Sequence, residues 1–223
     1  SLVRIDGKAY RVVGASPASV PALEQKGLTV LPTRTIYTFA GAGVELTLTF
    51  MTPALPDDLD VLARPLTYLD WTAQAKDQGK HKVEVFFAAS AELTVNQPGD
   101  EITDSWERVG QLLDLNVGAR EQAILAKKAG DIRMDWGYLH VAAPEASGKG
   151  MFFLGDYQRD RFAAQGLRDL DMGNIVRPEK LIAKDWVARF SFDFGDVSAK
   201  PVSRWVILAY DDLYSIQYMK KNL

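Results

Sequence analysis

Closely spaced carboxylates are the first residues of this chain that could do chemistry. Asp57, Asp58 and Asp60 sit together beside Pro53 and Pro56. Calcium prefers carboxylate oxygens, so the cluster is a candidate metal site. It lacks the glycine and distal glutamate of an EF-hand loop. Aspartates in a proline-bearing corner also cap free backbone amides, and the residues favour that turn over a metal. Asp211 and Asp212 are a second candidate, as an acid/base pair beside a cleft. Adjacent strand residues point to opposite faces, which keeps two such carboxylates from sharing a proton. Capping a following helix is the favoured role. Asp135, Trp136 and Tyr138 place a carboxylate beside two aromatics, the combination a sugar or small-molecule site uses for stacking and orientation. Aromatic packing in a β core is the commoner use of such residues. Trp71 and Trp106 are further candidate stacking surfaces. A sugar platform needs at least two aromatics open to solvent on one face.

The chain has no cysteine, which excludes disulfides, thiolate metal sites and cysteine nucleophiles together. Its two histidines, His81 and His140, read as having neither a carboxylate nor a second histidine at ligand spacing, so zinc is not expected. No G-x-S-x-G elbow, P-loop or dinucleotide fingerprint occurs, and no cofactor is expected. The formal net charge of -3, with Lys and Arg scattered, gives no basic face for nucleic acid. No apolar run reaches the roughly 20 residues of a membrane helix, and no signal peptide is present.

The elements that must position these residues read as strands. Leu2 to Val13 is a hairpin about Asp6-Gly7, a type I′ turn signal. Gly14 to Lys26 is a loop with a helical turn at Ala22–Lys26. Leu28 to Phe39 and Val44 to Met51 form the next hairpin. In its second arm Val44, Leu46, Leu48 and Phe50 alternate with Glu45, Thr47 and Thr49, the period of a half-buried strand. Pro53 and Pro56 force a corner. A strand resumes from Val61 to Ala75, followed by Lys82 to Ala89. Shorter strands are expected at Leu93–Val95, Ser105–Val109, Leu112–Val117, Asp131–Met134, Gly137–Ala143 and Met151–Leu154. Arg120–Lys128 fits either a helical turn or a strand. Gln158–Gln165 and Leu167–Met172 are helix candidates. Trp186 to Phe194 alternates cleanly, and the apolar run from Arg204 to Tyr210 suits a central strand buried on both faces. A helix is expected from Leu213 to Leu223. About a dozen strands with hairpin spacing predict an all-β fold, a large antiparallel sandwich with a few short helices.

Five segments together carry a family resemblance: LVRIDGKAYRVVG at 2–14, GVELTLTFMTPALPDDLDVLARPLTYLDW at 43–71, the region around Trp106, GDIRMDWGYLHVA at 130–142 and WVILAYDDLYSIQYMKKNL at 205–223. In order and spacing they resemble the glutaminase A family. The resemblance implies a supersandwich-like β-domain at 1–212 and a helical lead-in at 213–223 to an all-helical toroid. It implies a secreted or periplasmic parent that releases ammonia from L-glutamine, in an architecture shared with glycoside hydrolases. The partner it implies is the C-terminal helical domain of the same polypeptide; a sugar or other small-molecule ligand is the expectation from Asp135, Trp136 and Tyr138 themselves. No catalytic motif of that family falls on these residues, so no catalytic residue is carried over. The strand-like start without Met and the helix-like end lead us to expect a segment of a longer chain. The first alternative is a carbohydrate-binding module with Trp71, Trp106, Trp136 and Tyr138 as stacking surfaces, and the second an autonomous glycoside hydrolase using two carboxylates across a cleft.

Overall fold

The computed structural model describes residues 1–124, 135–154, 157–170, 177–214, 216–219 and 221–222. It is an all-β sandwich of two antiparallel sheets. β1 (Leu2–Ile5) and β2 (Lys8–Arg11) turn at Asp6-Gly7, whose φ angles of 50° and 83° are those the type I′ turn demands. β3 (Glu24–Leu31), β4 (Arg34–Gly41) and β5 (Val44–Met51) form a meander. A short helix α1 (Leu59–Leu62) occupies the proline corner. β6 (Leu66–Ala75) and β7 (His81–Ser90) follow, then β8 (Glu101–Val109), β9 (Leu112–Ala119), β10 (Tyr138–Pro144) and β11 (Gly148–Leu154). Helix α2 (Tyr157–Gln165) precedes β12 (Leu181–Ile182), β13 (Trp186–Val197) and β14 (Val202–Asp211). A small hairpin of β15 (Gln217–Tyr218) and β16 (Lys221–Asn222) comes last. One sheet runs β11-β13-β7-β1-β2, the other β12-β8-β9-β10-β14-β6-β5-β4-β3.

Several local expectations give way to tertiary context. The helical turn expected at Ala22–Lys26 is the start of β3, which pairs with β4. The long arm expected from Leu28 to Phe39 is two strands, because the chain turns at Pro32-Thr33. Val61 and Leu62 belong to α1, and the strand starts only after Pro65. Leu93 lies in a 3-10 turn, Ala91–Thr94, capped by the Ser90 hydroxyl. Of the helix expected over 213–223, the described residues form β15 and β16 instead. Asp211 accepts the amide of Leu213 at 2.9 Å, capping a turn rather than a helix. The strand expected at Asp131–Met134, the end of Arg120–Lys128 and the last residues of Leu167–Met172 lie outside the described residues.

The sheets meet through one apolar layer. Leu46, Leu48, Leu69, Trp71, Val141 and Val206 of the nine-stranded sheet face Val3, Val85, Phe87, Phe190 and Phe192 of the five-stranded one. Trp71 is fully buried, with ring centroids 5.5 Å from Phe87 and 6.1 Å from Phe192. The five-stranded sheet is covered on its other side too. Leu2, Phe86, Phe153 and Val187 pack there beneath Phe162 of α2, and the Phe86 and Phe162 rings lie 5.3 Å apart. That is why Val83 to Phe87 are all buried, including Glu84, which meets Arg4 at 3.5 Å. The nine-stranded sheet differs. In β14 Val206 is fully buried, but Trp205, Ile207 and Ala209 on the opposite face are only half-buried. The strand is central, as expected, yet one of its faces is open.

Removing the central indole leaves a cavity that the sheets cannot close, so Trp71→Ala is expected to cost about 3–5 kcal/mol. The exposed Trp106→Ala, which loses only the Arg108 guanidinium 5.5 Å above its ring, is expected to cost less than about 1 kcal/mol. Urea unfolding of both variants measures the difference.

Candidate functional site

Strand pairing decides which side chains share the open face of the nine-stranded sheet. Arg34 is opposite Met51, Met51 opposite Tyr68, and Tyr68 opposite Ile207. The adjacent row on the same face runs Ile36, Thr49, Asp70, Trp205. Paired residues on one face stand about 4.5–5.5 Å apart, so the two rows form one continuous lining. Arg34, Thr49, Met51, Tyr68, Asp70 and Trp205 line a cleft of about 330 Å³ there. The Tyr68 and Trp205 rings meet edge to face, 5.7 Å between centroids. Between them and Thr49 sits Asp70. Burial lifts its carboxyl above the usual aspartate range, opposed by the 2.8 Å hydrogen bond that Thr72 Oγ1 donates to it. Because that hydroxyl proton is used on Asp70, Ser203 is the donor in the 2.7 Å contact between Ser203 and Thr72.

The residues singled out from the sequence lie elsewhere. Asp57, Asp58 and Asp60 are exposed at the proline corner. Asp58 Oδ1 accepts the Val61 amide at 3.1 Å and is the N-cap of α1. Among the described residues no group of three or more His, Asp or Glu side chains could hold a metal ion. Asp135 and Trp136 are buried at 8 % and 9 % exposure, and Tyr138 is half-buried at the start of β10. Their loop is tied down. Tyr210 donates its hydroxyl to the Trp136 carbonyl at 2.7 Å, and Gln122 accepts the Gly137 amide. Burial, reinforced by Asp135 and Asp212, pushes the Tyr210 phenol up to about 12, so it remains a donor. Trp71 is in the core, and Trp106 is the one open ring of the expected stacking set. Trp71, Trp106, Trp136 and Tyr138 therefore do not assemble into a shared platform. The two half-open aromatics that do share a face, Tyr68 and Trp205, were not singled out from sequence. Period-two alternation from the buried Leu69 and Val206 is the signal that points them outward.

Asp135 does line a second cleft, of about 690 Å³, with Asp100, Glu101, Arg120 and Glu121. Glu101 is held by Lys180 at 2.7 Å and Arg120 at 3.6 Å. The Lys180 hydrogen bond keeps its carboxyl below the usual glutamate range, the opposite of what a general acid requires.

Both histidines contact carboxylates. His81 Nδ1 lies 2.7 Å from Asp6 and Nε2 2.9 Å from Asp77. Ionised carboxylates only accept, so both ring nitrogens donate and the ring is an imidazolium. Asp6 also accepts the Lys82 amide at 2.8 Å, which ties the β1–β2 and β6–β7 turns together. Asp77, four residues before His81, corrects the reading that neither histidine has a carboxylate at close spacing. Asp6 arrives only through β1–β7 pairing. His140 Nδ1 meets Asp114 at 2.7 Å on the open face of β9 and β10.

Hydrogen bonds to these carboxylates raise the pKa of both histidines. His81 holds Asp6 and Asp77 below their usual range. A raised histidine contributes stability fully present below its unfolded value, about 6.5, and lost as pH rises through the folded value. The lowered aspartates contribute above about pH 3.9, a contribution lost as pH falls through their folded values. The stability gap between wild type and His81→Gln is therefore expected to be widest between about pH 4 and 6.5. NMR titration of the two imidazoles should give midpoints above the ordinary value for both; a His81 midpoint at or below it would remove the clamp.

The chain belongs to the family described as Domain of unknown function (DUF5127), which matches residues 33–223. Over 91 residues it is 31% identical to Glutaminase A of Aspergillus oryzae (strain ATCC 42149 / RIB 40), covering 40% of this chain and 13% of that protein. Among solved structures it is similar to a putative kojibiose phosphorylase from human microbiome, with TM-score 0.44, 6% identity and coverage of 95% of this chain and 22% of that one. It is also similar to heparan sulfate lyase HepC from Pedobacter heparinus, with TM-score 0.42, 6% identity and coverage of 87% and 22%. The chain thus spans less than a quarter of the length of each of these proteins.

Proposed function

We propose that this chain is a non-catalytic β-sandwich domain of a larger secreted or periplasmic hydrolase of the glutaminase A kind. It packs against a C-terminal helical domain of the same polypeptide and forms one wall of that domain's cleft. The observation that carries this reading is the similarity to Glutaminase A, in which the matched stretch is only 13% of the enzyme. A domain in that position needs a surface to dock with, and one end of the sandwich offers it. Leu31 at the tip of β3, Leu55, Leu59 and Leu62 at the corner, and Tyr214, Ile216, Tyr218 and Met219 near the C-terminal hairpin are all exposed. Hydrogen bonds from Thr52 to Thr33 and from Tyr210 to Pro65 gather the β3–β4 turn, the corner and the end of β14 at that end. Exposed apolar residues scattered singly need no explanation. Gathered at one end, they fit an interface.

Two measurements test the proposal. Purified 1–223 is expected to release no ammonia from L-glutamine and to cleave no member of a nitrophenyl glycoside panel, while the longer polypeptide is active. Turnover by 1–223 that Asp135→Asn abolishes would overturn it. In the longer polypeptide, Leu59→Glu with Tyr218→Glu is expected to lower activity or its thermal midpoint. The same pair in 1–223 should shift stability by less than about 0.5 kcal/mol, as surface changes do.

A further inference from the structure

From the cleft on the open face of the nine-stranded sheet we infer a binding site for a neutral oligosaccharide, with Trp205 and Tyr68 as the stacking surface and Asp70, Arg34 and Thr49 as the groups that orient its hydroxyls. The cleft adjoins the apolar end of the sandwich, since Arg34 follows the β3–β4 turn and Met51 precedes the proline corner, and it extends from there along the strands to Trp205.

Four observations carry the inference. The first is shape: about 330 Å³ lies within the range of small-molecule pockets, and the cleft is built on four adjacent strands rather than on loops. The second is the aromatic pair. An edge-to-face contact leaves the face of one ring free while the other ring holds it in place. The apolar C–H face of a pyranose needs such a surface. The third is the charge pattern. The Arg34 side chain makes no ion pair or hydrogen bond among the described residues, and Asp70 takes its side-chain hydrogen bond from a neutral hydroxyl. A cation and an anion therefore face the same cleft without spending their charge on each other. An anionic ligand would be opposed by Asp70 and a cationic one by Arg34, whereas sugar hydroxyls donate to the first and accept from the second. The fourth is the adjoining row of hydroxyls, Thr47, Thr72 and Ser203, which continues the lining along the strands. A ligand longer than one ring can follow it.

A free amino acid also carries both charges, but the cleft does not suit it. Arg34 is exposed and Asp70 half-buried, and ion pairs so open to water contribute little. Contact area on the rings is the larger gain here, and it favours a ligand with extended apolar faces.

The test is titration of the 1–223 chain, labelled at its tryptophan indoles, with maltotriose, cellotriose, xylotriose, mannotriose and, separately, L-glutamine. One or more of the trisaccharides is expected to move the Trp205 indole signal saturably, with the signals of Trp71, Trp106, Trp136 and Trp186 unchanged. Trp205→Ala should abolish binding and Asp70→Asn should weaken it at least about tenfold. Trp205→Phe keeps a stacking ring and should retain part of the affinity, so loss of binding is separable from loss of fold. The site is overturned if no trisaccharide moves Trp205, if only L-glutamine does, or if the response centres on Trp106. None of these outcomes bears on whether 1–223 lacks hydrolase activity, so this inference and the accessory-domain reading fail independently.

Discussion

The contact of Trp71 with Phe87 and Phe192 is the one on which the rest of the molecule depends. It sits where β6 of the nine-stranded sheet crosses β7 and β13 of the five-stranded one, and it sets how closely the sheets approach. Every side chain on β5, β6, β10 and β14 takes its direction from that layer. With Leu69 and Trp71 turned inward, Tyr68 and Asp70 must turn outward. With Val206 inward, Trp205 must turn outward. A one-residue slip in either strand would exchange the core for the cleft.

The two sheets solve the burial problem differently, and the difference locates function. The five-stranded sheet is covered by the long sheet on one side and by α2 on the other, so its central strands are apolar almost throughout. Its buried charges are met: Glu84 by Arg4, while Arg189 donates to the Leu170 carbonyl. Among the described residues no helix lies over the strands that carry Tyr68, Asp70 and Trp205. That face mixes hydroxyls, two aromatics and charges of both signs, a lining suited to a polar ligand. A group of the apolar residues that remain exposed, Leu55, Leu59, Leu62 and Tyr218 among them, lies at one end of the sandwich.

Much of this was legible in the sequence. Asp6-Gly7 fixed the first hairpin, because few other residue pairs accept two positive φ angles. The alternation in 44–51 and 186–194 gave the inward face of β5 and β13 directly. What was not legible depended on partners distant in the chain. β3 carries no clean alternation because it is an edge strand with one neighbour, so Ala22–Lys26 read as a helical turn. WVILAY looked buried on both faces because Trp205 and Ile207 are apolar, although half-open. Asp135-Trp136 drew attention as a platform because a carboxylate beside an aromatic looks the same in sequence whether it faces solvent or is held in a loop by Gln122 and Tyr210.

The same reasoning explains why the carboxylates most prominent in the sequence have the plainest roles. Asp58 and Asp211 lie next to the amides they accept, so their work is local and follows from spacing alone. Asp70 also accepts locally, from the Thr72 hydroxyl two residues on, but the rest of its setting is not local. Its environment is made by three strands that meet only in the fold: Thr49 from β5, Thr72 beside it on β6, and Trp205 from β14. A carboxylate held among aromatics and hydroxyls, with no cation as partner, costs free energy in the absence of a ligand. All three acids accept from a near neighbour in the chain, so what separates Asp70 is not its hydrogen bond but its place on a sheet face, where Thr49 and Trp205 reach it from other strands.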